Sequence, residues 1–226
     1  MDHEVKPLFR ALCFPAIFIA IIWFVFLLQI ISGTKGWYEL GVYPRQVDGL
    51  SGILTSSLIH SNLGHIFGNS LSMLVLGWFL SYSYKDLRYM VFLTVWLLSG
   101  TFTWLIGREA WHIGASGLVY ALAFFLFFSG VFRKYVPLMA VSLIVVFLYG
   151  SGMWSLSPIA ELVDPNISWE GHLSGGISGL IVAFLFRKQG PQKQDPFEEE
   201  DDEDEDENGE WKEAAFQENQ DTSFTS

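Results

Sequence analysis

Two residues of this chain have the types needed for nucleophilic catalysis, and each begins an apolar segment. Ser116 lies in the run Gly114-Ala115-Ser116-Gly117, and His172 lies in a later run rich in glycine. A serine hydroxyl is a weak nucleophile at neutral pH and needs a base within hydrogen-bond reach. An imidazole suits that task, because its ordinary pKa of about 6.5 lets it take and return a proton. The two residues therefore predict a serine–histidine dyad.

Three further polar residues have spacings that fit such a dyad. Acyl transfer develops negative charge on a carbonyl oxygen, and fixed hydrogen-bond donors must stabilise that charge. His65 and Asn69 are suitable donors, and a spacing of four puts them on one face of a helix. The free backbone N–H groups at the start of the helix that holds Ser116 are suitable as well. Tyr120 follows Ser116 by four residues and is expected to pack against the ring of His172.

The remaining ionisable residues near these segments have less defined roles. Asp164 and Glu170 are expected to lie in a loop, which leaves no carboxylate to orient His172. His112 is expected to face solvent or the membrane interface. His60 either helps to position the segment that follows it or takes part in catalysis. The histidine spacing is poor for zinc and no His-Glu-x-x-His pattern occurs, so we predict no metal and no cofactor.

The elements that carry these residues are predicted to be membrane-spanning helices. Of the 226 residues 51% are hydrophobic, and crossing the hydrocarbon core takes about 20 mostly apolar residues. The sequence predicts an all-α polytopic membrane protein with six spans, at 11–31, 62–82, 89–106, 115–132, 135–152 and 171–187. The interval 33–60 is too polar for a span and is expected to be a partly structured loop against the membrane interface.

The distribution of basic residues predicts the orientation in the cell membrane. Nine lie at one set of span ends, where positive charge favours the cytoplasm: Lys6, Arg10, Lys85, Arg88, Arg133, Lys134, Arg187, Lys188 and Lys193. Only Lys35, Arg45 and Arg108 lie at the other ends, so both termini are expected to be cytoplasmic. Spans two, four and six then run inward, so the polar residues at their starts, which include His65, Ser116 and His172, lie in the outer leaflet. Gly175 and Gly179 are expected to let span six approach span four closely.

The end of the chain has a different composition from the rest. About half of the acidic residues lie between Asp195 and Glu210, and the net charge of the chain is −11. We therefore predict a membrane domain at 1–194 and a disordered acidic cytoplasmic tail at 195–226. A basic partner for this tail is an alternative that only its charge supports. No basic surface suited to nucleic acid is present, and the single cysteine, Cys13, is expected to be buried.

Taken together, these motifs resemble the rhomboid family of intramembrane serine proteases, over about residues 10–187. The resemblance lies in His65 and Asn69, in Gly-Ala-Ser-Gly with Tyr120, in His172 with its glycines, and in the fragment Tyr43-Pro44-Arg45. It implies a six-helix bundle in which Ser116 is the nucleophile and His172 the base.

The resemblance also implies roles for the neighbouring residues. His65 and Asn69, with the backbone of Ser116, form the oxyanion hole, Tyr120 supports His172, and Gly114 is the glycine two residues before the nucleophile. The loop from Met153 to Glu170 resembles a movable cap, and Pro44-Arg45 takes the place of the family's Trp-Arg pair. Substrates are expected to be single-span membrane proteins in the bilayer.

Two other classes of protein are alternatives to an enzyme. A transporter with a polar path predicts polar residues through the full depth of the membrane, whereas here the segments from Leu122 to Phe128 and from Leu180 to Phe186 are apolar. A catalytically inactive relative that binds membrane proteins typically loses the serine or the histidine, and this chain has both.

Overall fold

A computed structural model describes residues 2–134 and 167–190, together with positions 136, 139, 140, 143 and 156–159. Most of the predicted fifth span, most of the predicted cap and the whole acidic segment 195–226 lie outside the described residues. The division into a membrane domain and a tail therefore stays a prediction.

The described part of the chain is built almost entirely from helices. Its long helices are α1 (Asp2–Ser32), α2 (Leu63–Ser83), α3 (Arg88–Ile106), α4 (Ser116–Arg133) and α5 (Trp169–Leu185). Within residues 2–134 and 167–190 there is no β-strand, and one isolated antiparallel bridge joins Val42 to His112. The all-α prediction is confirmed.

Four of these helices are long and apolar enough to cross a membrane: Phe9–Ser32 within α1, and all of α2, α3 and α4. Helix α5 has 17 residues, which at 1.5 Å each is about 25 Å. The bounds of α2 to α5 lie within two residues of the predicted spans, whereas α1 begins earlier than predicted. The count of six spans stays a prediction.

Large apolar side chains cover the outside of the bundle. Ile17 is 62% exposed, Phe24 61% and Phe67 62%. A soluble protein rarely exposes so much apolar surface, but hydrocarbon around the helices removes the penalty. Together with the length of the apolar helices, this makes the chain a membrane protein. Cys13 is also exposed on α1, so the expectation that it is buried was wrong.

The segment between α1 and α2 is partly structured, as predicted. It contains three 3-10 helices and a short α-helix, at Lys35–Leu40, Val47–Gly49, Ser56–Leu58 and Gly52–Thr55. The short α-helix packs on α3, where a Cβ built on Gly100 would lie 2.7 Å from the carbonyl oxygen of Ile53. This contact fixes the loop against the helix that follows α2.

Helices α4 and α5 pack backbone against backbone. A Cβ on Gly175 would lie 2.0 Å from the carbonyl oxygen of Gly117, and one on Gly179 would lie 2.2 Å from that of Ala121. Side chains at these positions would force the helices apart, which is why glycine is required. The predicted close approach through Gly175 and Gly179 is confirmed.

A polar cluster joins the helices at the opposite end of the bundle from Ser116. The hydroxyl of Tyr84, just after α2, bonds the hydroxyl of Ser129 on α4. The guanidinium of Arg133, at the end of α4, donates to Ser129 and to the carbonyl oxygens of Phe186 and Gln189 after α5. The ends of α2, α4 and α5 are therefore held together, and this limits how α5 can move against α4.

Candidate active site

Ser116 and His172 meet at the starts of α4 and α5. The hydroxyl oxygen of Ser116 lies 2.8 Å from Nε2 of His172, within hydrogen-bond distance. Ser116 is the first residue of α4, where backbone N–H groups have no acceptor within the helix. A hydroxyl bonded to a ring nitrogen is the arrangement that general-base activation of a serine requires. The structure thus brings the two predicted residues together.

The glycines of the two helices make this contact possible. Gly117 follows Ser116, and a Cβ there would lie 3.0 Å from the carbonyl oxygen of Gly171 and from the hydroxyl of Ser99 on α3. The backbone beside the serine therefore touches the backbone beside the histidine. With any larger residue the separation of the two reacting side chains would grow.

The ring of Tyr120 stacks on the ring of His172. Their centroids are 4.5 Å apart and their planes differ by 26°. Tyr120 lies one helical turn after Ser116, so a single face of α4 holds both the hydroxyl and the support for the imidazole. The predicted packing of Tyr120 against His172 is present.

Gly114 brings the start of α4 against His65 and Asn69 of α2. Its φ is +104°, a conformation that side-chain-bearing residues rarely adopt. A Cβ at this position would lie 2.5 Å from Cε1 and Nε2 of His65 and 3.7 Å from Nδ2 of Asn69. The predicted donors therefore lie beside the backbone two residues before Ser116.

Asn69 has a donor that the described residues do not satisfy. Its side chain is 7% exposed, and Nδ2 has no hydrogen-bond partner in the described part of the chain. An unpaired buried donor costs about 1–3 kcal/mol. Nδ1 of His65, by contrast, lies 3.1 Å from the hydroxyl of Ser61. The free amide of Asn69 is therefore available to a negatively charged oxygen.

His60 lies behind His65 and is almost fully buried. The two ring centroids are 5.1 Å apart, and the side chain of Gln29 on α1 pairs with the backbone of His60. Burial, with a smaller effect of nearby His65, lowers the pKa of His60 to about 3. Its imidazole is therefore neutral at physiological pH, and its contacts position the residues at the start of α2.

Arg45 joins the first loop to the end of α3. Its guanidinium donates to the carbonyl oxygens of Gly107, at 2.7 Å, and of Leu105, at 3.3 Å. Its backbone N–H donates to the carbonyl oxygen of Trp104. Arg45 therefore holds the first loop, between α1 and α2, against the end of α3.

Two expectations about ionisable residues were wrong. His112 is 5% exposed and bonds the hydroxyl of Ser168, instead of facing solvent. Glu170 belongs to the first turn of α5, is 3% exposed and pairs with Arg108. Neither pairing is visible in the sequence, because the partners are 56 and 62 residues apart. The sequence does contain a local signal for the position of Glu170, because a serine followed closely by an acidic residue, here Ser168 and Glu170, is typical of a helix start.

A small cavity of about 30 Å³ lies beside Ser116. Its polar lining is made of hydroxyl groups and one imidazole, from Ser56, Ser57, Ser99, Thr103, Ser168 and His112. A polar cavity of this size has room for a water molecule. Among the described residues no group of three or more His, Cys, Asp or Glu side chains is arranged to hold a metal ion.

Helical spans with a paired serine and histidine at one end define a class of polytopic membrane protein. A family model described as the rhomboid domain matches residues 47–189, more than half of the chain. The chain belongs to the rhomboid family.

Relatives extend this similarity to both bacteria and animals. An uncharacterised protein of Mycobacterium tuberculosis is 32% identical over 174 residues, which cover 74% of this chain and 72% of that protein. An uncharacterised protein of Mycobacterium leprae is 33% identical over 152 residues, covering 64% and 59%. Rhomboid-related protein 2 of mouse is 29% identical over 135 residues, covering 56% and 45%.

Proposed function

We propose that this protein is an intramembrane serine endopeptidase that cleaves single-span membrane proteins. The observation that carries the proposal is the 2.8 Å contact between Ser116 Oγ and His172 Nε2 at the start of α4. Membership in the rhomboid family supports the same class of activity. We further propose that the enzyme lies in the cell membrane with both termini in the cytoplasm, on the distribution of basic residues.

In the proposed reaction His172 takes the proton of Ser116 as Oγ attacks the scissile carbonyl carbon. The resulting oxyanion accepts hydrogen bonds from the free N–H groups at the start of α4 and from the amide of Asn69, with His65 beside it. The intermediate collapses when His172 gives the proton to the leaving amine. Water then attacks the ester of Ser116, with His172 again as base, and releases the second product and the free serine.

The test is labelling of the purified protein with a fluorophosphonate probe, which forms a covalent bond with an activated serine. We expect rapid labelling of the wild type, none at this site in Ser116→Ala, and labelling at least about 1000-fold slower in His172→Ala. Melting temperatures near that of the wild type verify that each variant is folded.

A second measurement is cleavage of a single-span model substrate in liposomes. We expect cleavage by the wild type and by neither variant. Equal labelling of the wild type and Ser116→Ala would refute the assignment of Ser116 as the nucleophile. A labelled wild type that cleaves no membrane-embedded substrate would refute the proposed substrate class.

A further inference from the structure

The first turn of α5 carries His172 and is held from outside the helix. The hydroxyl oxygen of Ser168, the residue before α5, accepts a hydrogen bond from the N–H of Gly171. The carbonyl oxygen of Ser168 accepts from the N–H of His172 itself, at 3.1 Å. Ser168 therefore hydrogen-bonds the backbone N–H groups of Gly171 and of His172. The backbone of these two residues determines where the imidazole of His172 lies.

His112 binds Ser168 in turn, and the geometry determines which way the protons point. Nε2 of His112 lies 3.0 Å from the carbonyl oxygen of Arg108, which can only accept, so Nε2 carries the proton. In the neutral ring Nδ1 is then an acceptor, and the Ser168 hydroxyl donates to it at 2.6 Å. That leaves the lone pairs of Ser168 for Gly171. Each donor in this chain of hydrogen bonds has one acceptor.

Arg108 and His112 both belong to the loop between α3 and α4, residues 107–115, and this loop also holds α5 through charge. The carboxylate of Glu170 accepts from the backbone N–H of Arg108 at 3.2 Å and from its guanidinium at 3.4 Å. The guanidinium also donates to the carbonyl oxygen of Ile167 at 3.0 Å. A carboxylate that is only 3% exposed is costly to bury unless it is paired in this way. Arg108 thus bonds the chain on both sides of Ser168.

The loop itself is fixed to the rest of the domain. The backbone of His112 exchanges two hydrogen bonds with Val42 of the first loop, at 2.8 and 2.9 Å. Burial lowers the pKa of His112, which keeps the ring in the neutral form that the hydrogen-bond directions require. The loop that contacts α5 is therefore itself hydrogen-bonded to the segment between α1 and α2.

We propose that Arg108, His112, Ser168 and Glu170 form a clamp that positions His172 for proton transfer with Ser116. They are positioning residues, because each acts through the first turn of α5. This inference rests on the proposed function. It predicts that loosening the clamp slows the chemical step without changing how substrate binds.

The test compares Ser168→Ala with Ser168→Thr, which restores the hydroxyl. Ser72→Ala on α2 is the matched control, since Ser72 is a buried serine whose hydroxyl, within the described part of the chain, bonds only the carbonyl oxygen of Gly68 in its own helix. We measure the second-order rate constant for fluorophosphonate labelling of Ser116, and kcat and KM for a single-span substrate. Ser168→Ala is expected to slow labelling and kcat by about 10- to 100-fold with KM unchanged. Ser168→Thr and Ser72→Ala are expected to remain within about threefold of the wild type.

Three outcomes separate this inference from the proposed function. A wild type that is not labelled at Ser116 overturns both. A labelled wild type with Ser168→Ala equally fast, or with KM alone changed, overturns only the clamp. If melting shows that Ser168→Ala is unfolded, His112→Phe keeps the ring volume and removes both nitrogens. The same slowing is then expected, and labelling at the wild-type rate overturns the clamp.

Discussion

Asn69 is the residue at which demands of folding and of catalysis differ most clearly. Its buried amide nitrogen has no partner in the described part of the chain, although buried donors are usually paired. A group that costs stability and contacts the surroundings of the nucleophile is typical of a functional site. A Cβ built on Gly114 would lie 3.7 Å from this nitrogen, so the donor lies near the start of α4.

We therefore predict that Asn69→Ala lowers activity without lowering stability. Removing an unpaired buried donor is expected to leave the melting temperature unchanged or raise it. Removing one oxyanion-hole donor lowers kcat by roughly 100- to 1000-fold. The measurements are thermal unfolding in detergent and cleavage of a single-span substrate. An unstable variant with normal kcat would mean that Asn69 is a packing residue.

His60 predicts a pH dependence of stability. Its pKa is about 3 in the folded protein and about 6.5 in the unfolded chain, so the unfolded chain binds the extra proton as pH falls. Stability is therefore full above pH 6.5 and declines between pH 6.5 and about 3, by up to about 1.4 kcal/mol for each pH unit. We expect His60→Gln to show a smaller drop in melting temperature between pH 7.5 and pH 5 than the wild type. Equal drops would contradict this.

At the scale of helices, the contact between α4 and α5 determines whether serine and histidine meet. Gly175 faces the carbonyl oxygen of Gly117, and a Cβ would lie 2.0 Å from it. In a variant with a side chain at position 175, this backbone oxygen could not rotate away as the end of a side chain can. The two helices would therefore have to move apart. The hydrogen bond between Ser116 and His172 spans that same interface.

We predict that Gly175→Ala destabilises the protein by about 1–3 kcal/mol and reduces labelling of Ser116 at least about tenfold. Gly68→Ala on α2 is the control, because a Cβ there would have no described atom within 4 Å apart from the nearby backbone of its own helix. It is expected to keep full labelling and to gain about 0.5–1 kcal/mol from helix propensity. Thermal unfolding and probe kinetics measure both effects. Equal behaviour of the two variants would show that the helix contact is not critical.

At the scale of the whole molecule, the chain combines an apolar bundle with a strongly acidic end. The family match covers residues 47–189 and stops before the acidic segment that begins at Asp195. We predict that a chain ending at Gln194 folds, is labelled at Ser116 and cleaves a single-span substrate at rates within about twofold of the full chain. A loss of labelling or cleavage would show that the acidic segment belongs to the catalytic unit.

Proteolysis of the acidic segment 195–226 tests the predicted orientation in the membrane. With both termini cytoplasmic, added protease is expected to remove it from inverted membrane vesicles and to leave it intact in spheroplasts. The physical reason is the excess of lysine and arginine at one set of helix ends. Cleavage in spheroplasts but not in inverted vesicles would show the opposite topology, with Ser116 near the cytoplasmic side.

Much of this protein follows from the sequence by itself. Apolar runs of about 20 residues specify membrane helices, because the bilayer leaves the backbone few other ways to satisfy its hydrogen bonds. That is why the bounds of α2 to α5 were predicted within two residues. Helical spacing of four likewise predicted which polar residues share a face, among them Ser116 with Tyr120.

Only the tertiary structure decided which residues at the start of α5 pair with the loop between α3 and α4. The sequence predicts Glu170 in a loop and His112 facing solvent or the membrane interface, yet Glu170 pairs with Arg108 and His112 with Ser168. Such pairings depend on how helices and loops pack, and local spacing has no information about that. The distance of 2.8 Å between Ser116 and His172 is of the same kind, since the backbone contact at Gly175 sets it.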